Sequence, residues 1–535
     1  MVICFIGSSM AAQTRLPAII GDNMVLQRGI PAPVWGWAAA GEKISVVFEN
    51  KTYTTVAAAD GKWMLKLDAA RTGGPYQMTV KAKDSSMVIH NILVGDVWLA
   101  SGQSNMEFGI QTDSYAADAI AGAGDSLIRF FYVPMASSLQ PINDIQAVPD
   151  GSLNGKWIIC SPGNMAKNWA WHGFSAIGYY FAREIRAGTA SPVGMIGSYK
   201  GATPAQAWVS LQGLRQDTGL SHYINIHQKL LDNYEQAKKD YPRKQEDFRA
   251  AMQQWNAETG KADSAGGKAV VPVNVKKIAR PPAPPSPDGG FGAPANLYNA
   301  MIKPLVPYAI KGVIWYQGES NGDRIADAIE YPVLFPRLIK DWREQWQQGD
   351  FPFLFVQLTN FRAPAKKPAE GIWPWVREAQ LKTLSLSNTG MAVTTDIGNA
   401  DSIHPTNKLD VGLRLALAAR HIAYHENIVY SGPVYASMKI TGNKIRLVFR
   451  QEGGGLVIGR PPGQTVELRG FGIAGADKQF AWARAELDGN TVVVYSDEID
   501  HPVAVRYNWA DNPPGNLYNK EGLPATPFRT DNWPY

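Results

Sequence analysis

The sequence predicts an α/β protein in which a parallel sheet, buried on both faces, is covered by helices and flanked at each end by β-rich segments. Three observations carry this. Short, nearly continuous apolar runs recur through the middle of the chain, helical patterns alternate with them, and both ends change to short strands separated by turn residues.

Residues 1–13 are apolar and close on Ser9-Met10-Ala11-Ala12, a small-residue stretch like the end of a secretory signal, although no basic residue opens it. Export to the periplasm or the exterior is expected from that segment. Residues 14–93 read as an N-terminal β domain. Ile44-Ser45-Val46-Val47-Phe48 and Tyr76-Gln77-Met78-Thr79-Val80 have strand composition, and Ala59-Asp60-Gly61-Lys62 is a turn signal between them, a spacing that suits a small sandwich. From 94 to 430 the chain alternates. Apolar runs at 92–100, 193–197, 312–316, 353–358 and 391–395 suit strands buried on both faces, and helical patterns fall at 175–187, 327–346, 376–384 and 409–424. An excursion at 224–295 interrupts this order. It comprises a charged helical pattern over 224–257 and then Arg280-Pro281-Pro282-Ala283-Pro284-Pro285-Ser286-Pro287, which no regular helix or central strand tolerates. It reads either as a cover over the site or sheet edge, or as a surface elaboration without function. Residues 431–535 return to β character, with runs at 445–449, 491–495 and 503–507. These either form a third domain or complete the first.

Composition narrows the function classes. A length of 535 residues calls for two or three domains, and 45% hydrophobic residues indicate packed cores. The net charge of +5 comes from scattered basic residues, with no concentrated stripe for nucleic acid. Cys4 and Cys160 make no disulfide framework and are too few for a structural zinc site. No run of about 20 apolar residues beyond the first segment spans a membrane. Seventeen tryptophans lean towards carbohydrate, whose rings stack on aromatic faces, although Trp is also a common core residue.

In parallel sheets ligands bind beyond the carboxyl ends of the strands, so the chemistry is sought there. The 92–100 run passes into Ser101-Gly102-Gln103-Ser104-Asn105-Met106, small and polar residues suited to a tight turn that exposes a hydroxyl. It is not the Gly-x-Ser-x-Gly elbow of α/β-hydrolases, and a turn serine bonding its own backbone has the same composition. A serine nucleophile needs a base with an orienting partner. His404, in Asp401-Ser402-Ile403-His404-Pro405, follows the 391–395 run and precedes a helix with Thr406 as expected N-cap, and an Asp three residues earlier can curl back to the imidazole. His421 and His425 fall in a helical pattern, and His90, His172, His222, His227 and His501 lack an acidic partner in a strand-end loop. Oxyanion donors are offered at two further strand ends, by the Gln317 amide in Gln317-Gly318-Glu319-Ser320-Asn321 and by a glycine in Ser198-Tyr199-Lys200-Gly201-Ala202-Thr203. Each of these segments alone also reads as ordinary turn chemistry. Their joint occurrence at four strand ends is what points to acyl transfer.

The order and wording of these segments resemble the SGNH hydrolase superfamily and, more closely, its sialate O-acetylesterase family. The resemblance is strongest at Val94-Gly95-Asp96-Val97-Trp98-Leu99 through Glu107, at Trp315-Tyr316-Gln317-Gly318-Glu319-Ser320-Asn321 and at Asp401-Ser402-Ile403-His404-Pro405. It extends to Asp22-Asn23-Met24-Val25-Leu26-Gln27-Arg28 and Pro33-Val34-Trp35-Gly36-Trp37 near the start, and to Pro502-Val503-Ala504-Val505-Arg506-Tyr507 and Asn516-Leu517-Tyr518-Asn519 near the end.

That resemblance implies a flavodoxin-like, three-layer parallel-sheet hydrolase domain with β-sandwich-like accessory segments at both ends. It implies Ser104 as nucleophile, His404 as base and Asp401 as its orienter, with the Ser104 N–H, Gly201 and Gln317 forming the oxyanion hole. Gln317 stands where other SGNH enzymes carry asparagine. Gln103, Asn105, Glu319 and Asn321 are implied in substrate contact or support, with Glu319 also weighed as a second acid partner for His404. Two positions depart from the family pattern: Gly201-Ala202 replaces a glycine pair before Thr-Pro, and Lys200 stands where an aromatic is common.

The expected activity is hydrolysis of acetyl esters on carbohydrate without metal or cofactor. The expected substrate is an O-acetylated sialic acid or, alternatively, an acetylated plant polysaccharide such as xylan or xyloglucan. A non-catalytic carbohydrate-binding protein is the reading of another class.

Overall fold

The computed structural model describes residues 14–146, 153–167, 171, 173–259, 279–364, 366, 368, 371–459 and 467–535. The small-residue stretch of the first segment and His172 lie outside them. A mixed α/β architecture is observed, with a large central sheet and additional β-sheets. From edge to edge the main path runs Thr389–Ala392, Phe353–Val356, Gly312–Tyr316, Ser86–Gly102, Val193–Tyr199, Ile128–Tyr132 and Trp157–Ile159. Neighbours are parallel throughout, except that Trp157–Ile159 runs antiparallel at the edge.

Helices cover both faces, as the register shows. Trp98 pairs with Gly312, so Trp315, an odd three residues further on, points to the opposite face. Trp98 packs edge-on against Phe181 of the Ala176–Thr189 helix, which lies against the Leu409–Ile422 helix. Trp315 packs against Phe335 and Trp342 of the Ile325–Trp346 helix, which lies against Trp373–Thr383. Both indoles are fully buried, a contribution of about 2–3 kcal/mol each.

The strands Ile128–Tyr132 and Trp157–Ile159 did not stand out in the sequence, because Arg129 interrupts the apolar run of the first and the second is three residues long. The strand expected over 391–395 is shifted to Thr389–Ala392. Beyond it the backbone leaves the ladder, and the hydroxyls take over: Thr394 Oγ1 donates to the Gln357 carbonyl and Thr359 Oγ1 to the Thr394 carbonyl.

The strand Ser86–Gly102 has two functions. Its first half pairs antiparallel with Gly73–Lys81, which continues through Lys43–Phe48 to Lys51–Val56, while its second half lies at the centre of the parallel sheet. Asp96, 1% exposed, receives a two-point contact from Arg28 at 2.9 and 2.8 Å and a bond from the Tyr424 hydroxyl at 3.0 Å, fastening the N-terminal strands to the turn that follows the Leu409–Ile422 helix.

The C-terminal strands pair only among themselves within the described residues and enclose a separate core around Ile445, Leu447, Phe471, Ile473, Val492 and Val505. They do not complete the N-terminal sheets. Buried Arg377 joins this region to the main domain, donating to the carbonyls of Leu358, Thr359, Ala510 and Asp511. Arg529 adds a two-point contact to Glu378 at 2.8 and 3.0 Å.

The excursion forms one helix over Ser221–Thr259, followed from residue 279 by irregular chain. Tyr223 and His227 are the buried residues of its first two turns and anchor it there, and most of the later turns face solvent. The returning chain brings Phe291 beneath the Lys200 ammonium, 5.1 Å from the ring centre, so the end of the excursion adjoins the Lys200 loop. No described helix is long and apolar enough to cross a membrane.

Candidate active site

Three adjacent strands end together, and the nucleophile turn is fastened at that point. Gly102 holds φ at +131°, and a Cβ there would fall 2.1 Å from the Tyr316 carbonyl oxygen, so this position requires glycine. The Gln103 N–H donates to that carbonyl at 2.9 Å, and Lys200 N–H donates to the Gly102 carbonyl at 3.1 Å. Ser104 then opens a one-turn helix to Glu107 and lines a cleft of about 410 Å³, within the usual range for a small-molecule site. The Gln103 side chain turns inward, where its oxygen accepts from the Ser320 N–H at 3.2 Å.

Gly201 forms part of the cleft wall beside Ser104; a Cβ added to it would lie 3.2 Å from the Ser104 Cβ. Its N–H donates to Glu107 Oε2 at 2.6 Å. Burial raises the Glu107 carboxyl above the ordinary range, opposed by this bond and by the Lys200 charge. Glu107 is therefore a site residue that sequence reasoning passed over, although it closes the quoted motif. Ala202 has φ +58°, a left-handed conformation that explains a family glycine here and costs alanine about 1–2 kcal/mol.

His404 reaches the same cleft from the loop after Thr389–Ala392, with its ring edge-on to Trp171 at 5.0 Å. The Ser402 hydroxyl accepts from the His404 N–H and donates to the His404 carbonyl. Burial, and secondly the charge of Lys408, hold the imidazole below its ordinary pKa, which favours the neutral form a base needs. Asp401 is exposed, lies off the cleft wall and makes no hydrogen bond to His404. Asn399 Oδ1 instead accepts from the N–H groups of Asp401 and Ser402 and sets the loop. Thr406 is not the cap of the following helix. Its hydroxyl accepts from Ser114, and Asn407 Oδ1 accepts from the Asp410 N–H in its place.

Behind the wall lie Gln317, Asn321 and Asn105, all fully buried. The Gln317 amide donates to Asn321 Oδ1 at 2.7 Å and to the Thr203 carbonyl at 3.3 Å, and its oxygen accepts from the Tyr331 hydroxyl at 2.8 Å. It does not line the cleft. Asn321 also accepts from the Ala205 N–H and donates to Gln206, so this pair braces the Lys200 loop from beneath. Glu319 reaches the cleft wall, and its Oε1 accepts from Asn105 Nδ2 at 2.6 Å. Asn105 Nδ2 also donates to the Ile403 carbonyl at 3.0 Å, next to the base. Lys408 Nζ, with its residue wholly buried, donates to Asn105 Oδ1 at 2.6 Å. Burial drives the Lys408 pKa down to about 7 against the pull of Glu319 and Asp113, and burial drives Glu319 up. The structure thus brings Ser104, Gln103, Gly201, Glu319 and His404 to one cleft, sets Asn105, Gln317 and Asn321 behind it, and leaves Asp401 in solvent.

Comparison with known proteins identifies the family. A carbohydrate esterase family described as sialic acid-specific acetylesterase matches residues 288–422, a span that holds both Gln317 and His404. Sialate O-acetylesterase of Mus musculus is 28% identical over 99% of this chain and 96% of its own, and that of Homo sapiens 28% over 96% and 92%. The crystal structure of a carbohydrate acetylesterase from Xanthomonas citri is 37% identical, covers 97% of this chain and 100% of its own, and superposes with a TM-score of 0.77. An identity of that size, sustained along nearly all of both chains, makes this chain a carbohydrate O-acetylesterase belonging to the sialate O-acetylesterase family.

Proposed function

We propose that the chain is an SGNH-type hydrolase that removes acetyl groups from sugar hydroxyls by two-step acyl transfer, with Ser104 as nucleophile and His404 as base. The observation that carries this reading is the meeting of Ser104, Gly201 and His404 on one cleft beyond the carboxyl ends of parallel strands. His404 takes the Ser104 proton as Oγ attacks the acetyl carbonyl. The Ser104 and Gly201 N–H groups receive the oxyanion, Gly201 exchanging its bond to Glu107 for the new charge. Gln317 joins them by giving up its 3.3 Å bond to Thr203, the longest of its side-chain amide bonds. His404 then protonates the departing sugar oxygen, and water clears the acetyl-enzyme by the same route. Asp401, exposed and unbonded to His404, contributes less as its orienter than a buried triad acid would, while Ser402 fixes the His404 backbone and Trp171 packs against the ring in the resting enzyme.

The sugar proposed is an O-acetylated sialic acid. Among the described cleft residues Lys200 is the only lysine or arginine, and it offers a cation to a sugar carboxylate. Acetate release from O-acetylated sialic acid, compared with release from acetylated xylan, tests this; equal or greater release from xylan reverses the assignment. The chain is proposed to act after export to the periplasm or the exterior. Replacing Ser104→Ala is expected to abolish turnover of an acetyl ester reporter at unchanged melting temperature. Turnover surviving that change removes Ser104 from the mechanism.

A further inference from the structure

Resting on the Ser104–His404 reading, we propose that Lys408 is a positioning residue for the hydrolysis: its buried ammonium, clamped on Asn105 Oδ1, locks the nucleophile helix and the base loop into one unit. Asn105 is the hub. It sits one residue after Ser104, its oxygen takes the Lys408 ammonium at 2.6 Å, and its Nδ2 donates both to Glu319 Oε1 and to the Ile403 carbonyl, one residue before His404. An amide with a cation on its oxygen and an anion on its nitrogen is polarised from both ends, which strengthens every bond in the chain and opposes the neutralisation that burial favours at Lys408 and Glu319. The ammonium also lies 4.7 Å from the Phe108 ring centre and 5.8 Å from that of Tyr316, aromatic faces that substitute for part of its lost water. The Lys408 N–H donates to Asp113 Oδ1, fixing the start of the helix that carries it.

A buried pair of this kind is seldom needed for stability alone, because apolar side chains of equal volume usually serve as well. What apolar residues cannot do is hold three separate loops to a set distance by directional bonds, and these are the loops that bear the nucleophile, the base and Glu319.

Lys408 also acts on the base by charge. Burial is the larger cause of the lowered His404 pKa, and the Lys408 charge adds to it. Glu107, Lys200, Glu319 and Asp323 share the cleft wall with His404, while Glu319 and Asp113 face Lys408.

The test is Lys408→Met in the full chain, read as kcat and KM for an acetyl ester reporter across pH together with the melting temperature. The expected result is kcat lowered by about a hundredfold, as for a misplaced reacting group, with KM within about twofold. The acid limb of kcat/KM should move to higher pH, because the cation that disfavours protonated His404 is gone. Wild-type kcat, or a fall in kcat with the acid limb unmoved, overturns the proposal. Where Lys408→Met fails to fold, the pair Lys408→Met/Glu319→Gln, which removes the facing Glu319 charge together with the ammonium, is compared with Glu319→Gln alone. A lower kcat and a higher acid limb in the pair support the role, and identical profiles overturn it. Failure of the underlying reading shows separately, as turnover that survives Ser104→Ala.

Discussion

The two reacting groups are held in place by different means. The nucleophile turn is fixed by its backbone: Gly102 at φ +131°, with the Tyr316 carbonyl against its α-carbon and main-chain bonds from Gln103 and Lys200 on either side. The base loop has almost no such main-chain lacing to the sheet. His404 is placed by side chains, through Ser402 on its own backbone, the Trp171 edge and the Asn105 bond to Ile403. A nucleophile that must meet an incoming carbonyl at a fixed angle gains from a stiff mount. A base that moves a proton first to itself and then to two different oxygens is held here by side-chain contacts, the Asn105 bond tying its loop to the nucleophile turn.

The sharpest way to break that comparison is Gly102→Ala. The added methyl meets a carbonyl oxygen and the backbone is held in a region that L side chains rarely adopt. The expected loss is about 3 kcal/mol or more of stability, read from denaturant midpoints, and about a hundredfold or more in kcat as Ser104 shifts. A variant with native stability and turnover would show that the turn has slack.

A smaller effect is expected on the side of the base. Asp401→Asn should lower kcat by about ten- to a hundredfold, well short of the roughly ten-thousandfold loss known for a buried triad acid, because Asp401 is exposed and unbonded to His404. A loss as large as that of a buried acid would mean that substrate draws Asp401 onto the imidazole.

The same division explains what the sequence made legible. Polar turns after apolar runs pointed to the Ser104, Gly201 and His404 turns, because a strand end and its direction can be read from a few consecutive residues, while Gln103 and Glu319 came through the family resemblance. Rotations and long-range partners cannot. Gln317 read as a donor aimed outward, yet its amide turns inward to Asn321 and Thr203, and nothing local to the Gln-Gly-Glu turn encodes that choice. Asp401 has the spacing to reach His404, but Asn399 captures the intervening N–H groups. Lys408 resembles any solvated lysine at a helix start, since the residues that surround it, Asn105, Asp113 and Glu319, come from distant parts of the chain. The fold shows the same limit. Alternating texture disclosed the covered sheet, whereas the self-contained pairing of the C-terminal strands and the passage of Ser86–Gly102 through two sheets depend on pairings between distant segments.

The finest probe of the stiff side is Glu107→Gln, where the expected change is a gain. In the resting enzyme the Gly201 N–H is occupied by the Glu107 carboxylate at 2.6 Å, a charge-assisted bond about twice as strong as a neutral one. An oxyanion forming beside Ser104 competes with that carboxylate for the same donor, and the two negative charges repel. Glutamine keeps the length and an acceptor oxygen while removing the charge, so the donor is released at lower cost and kcat/KM should rise by about threefold to tenfold, equivalent to about 1 kcal/mol. The gain should be largest at high pH, where the native carboxyl, raised by burial, is fully ionised, and should shrink as pH falls and Glu107 takes up its own proton. A fall in kcat/KM at every pH would instead give Glu107 the opposite part, that of a brace without which the Gly201 loop no longer faces Ser104.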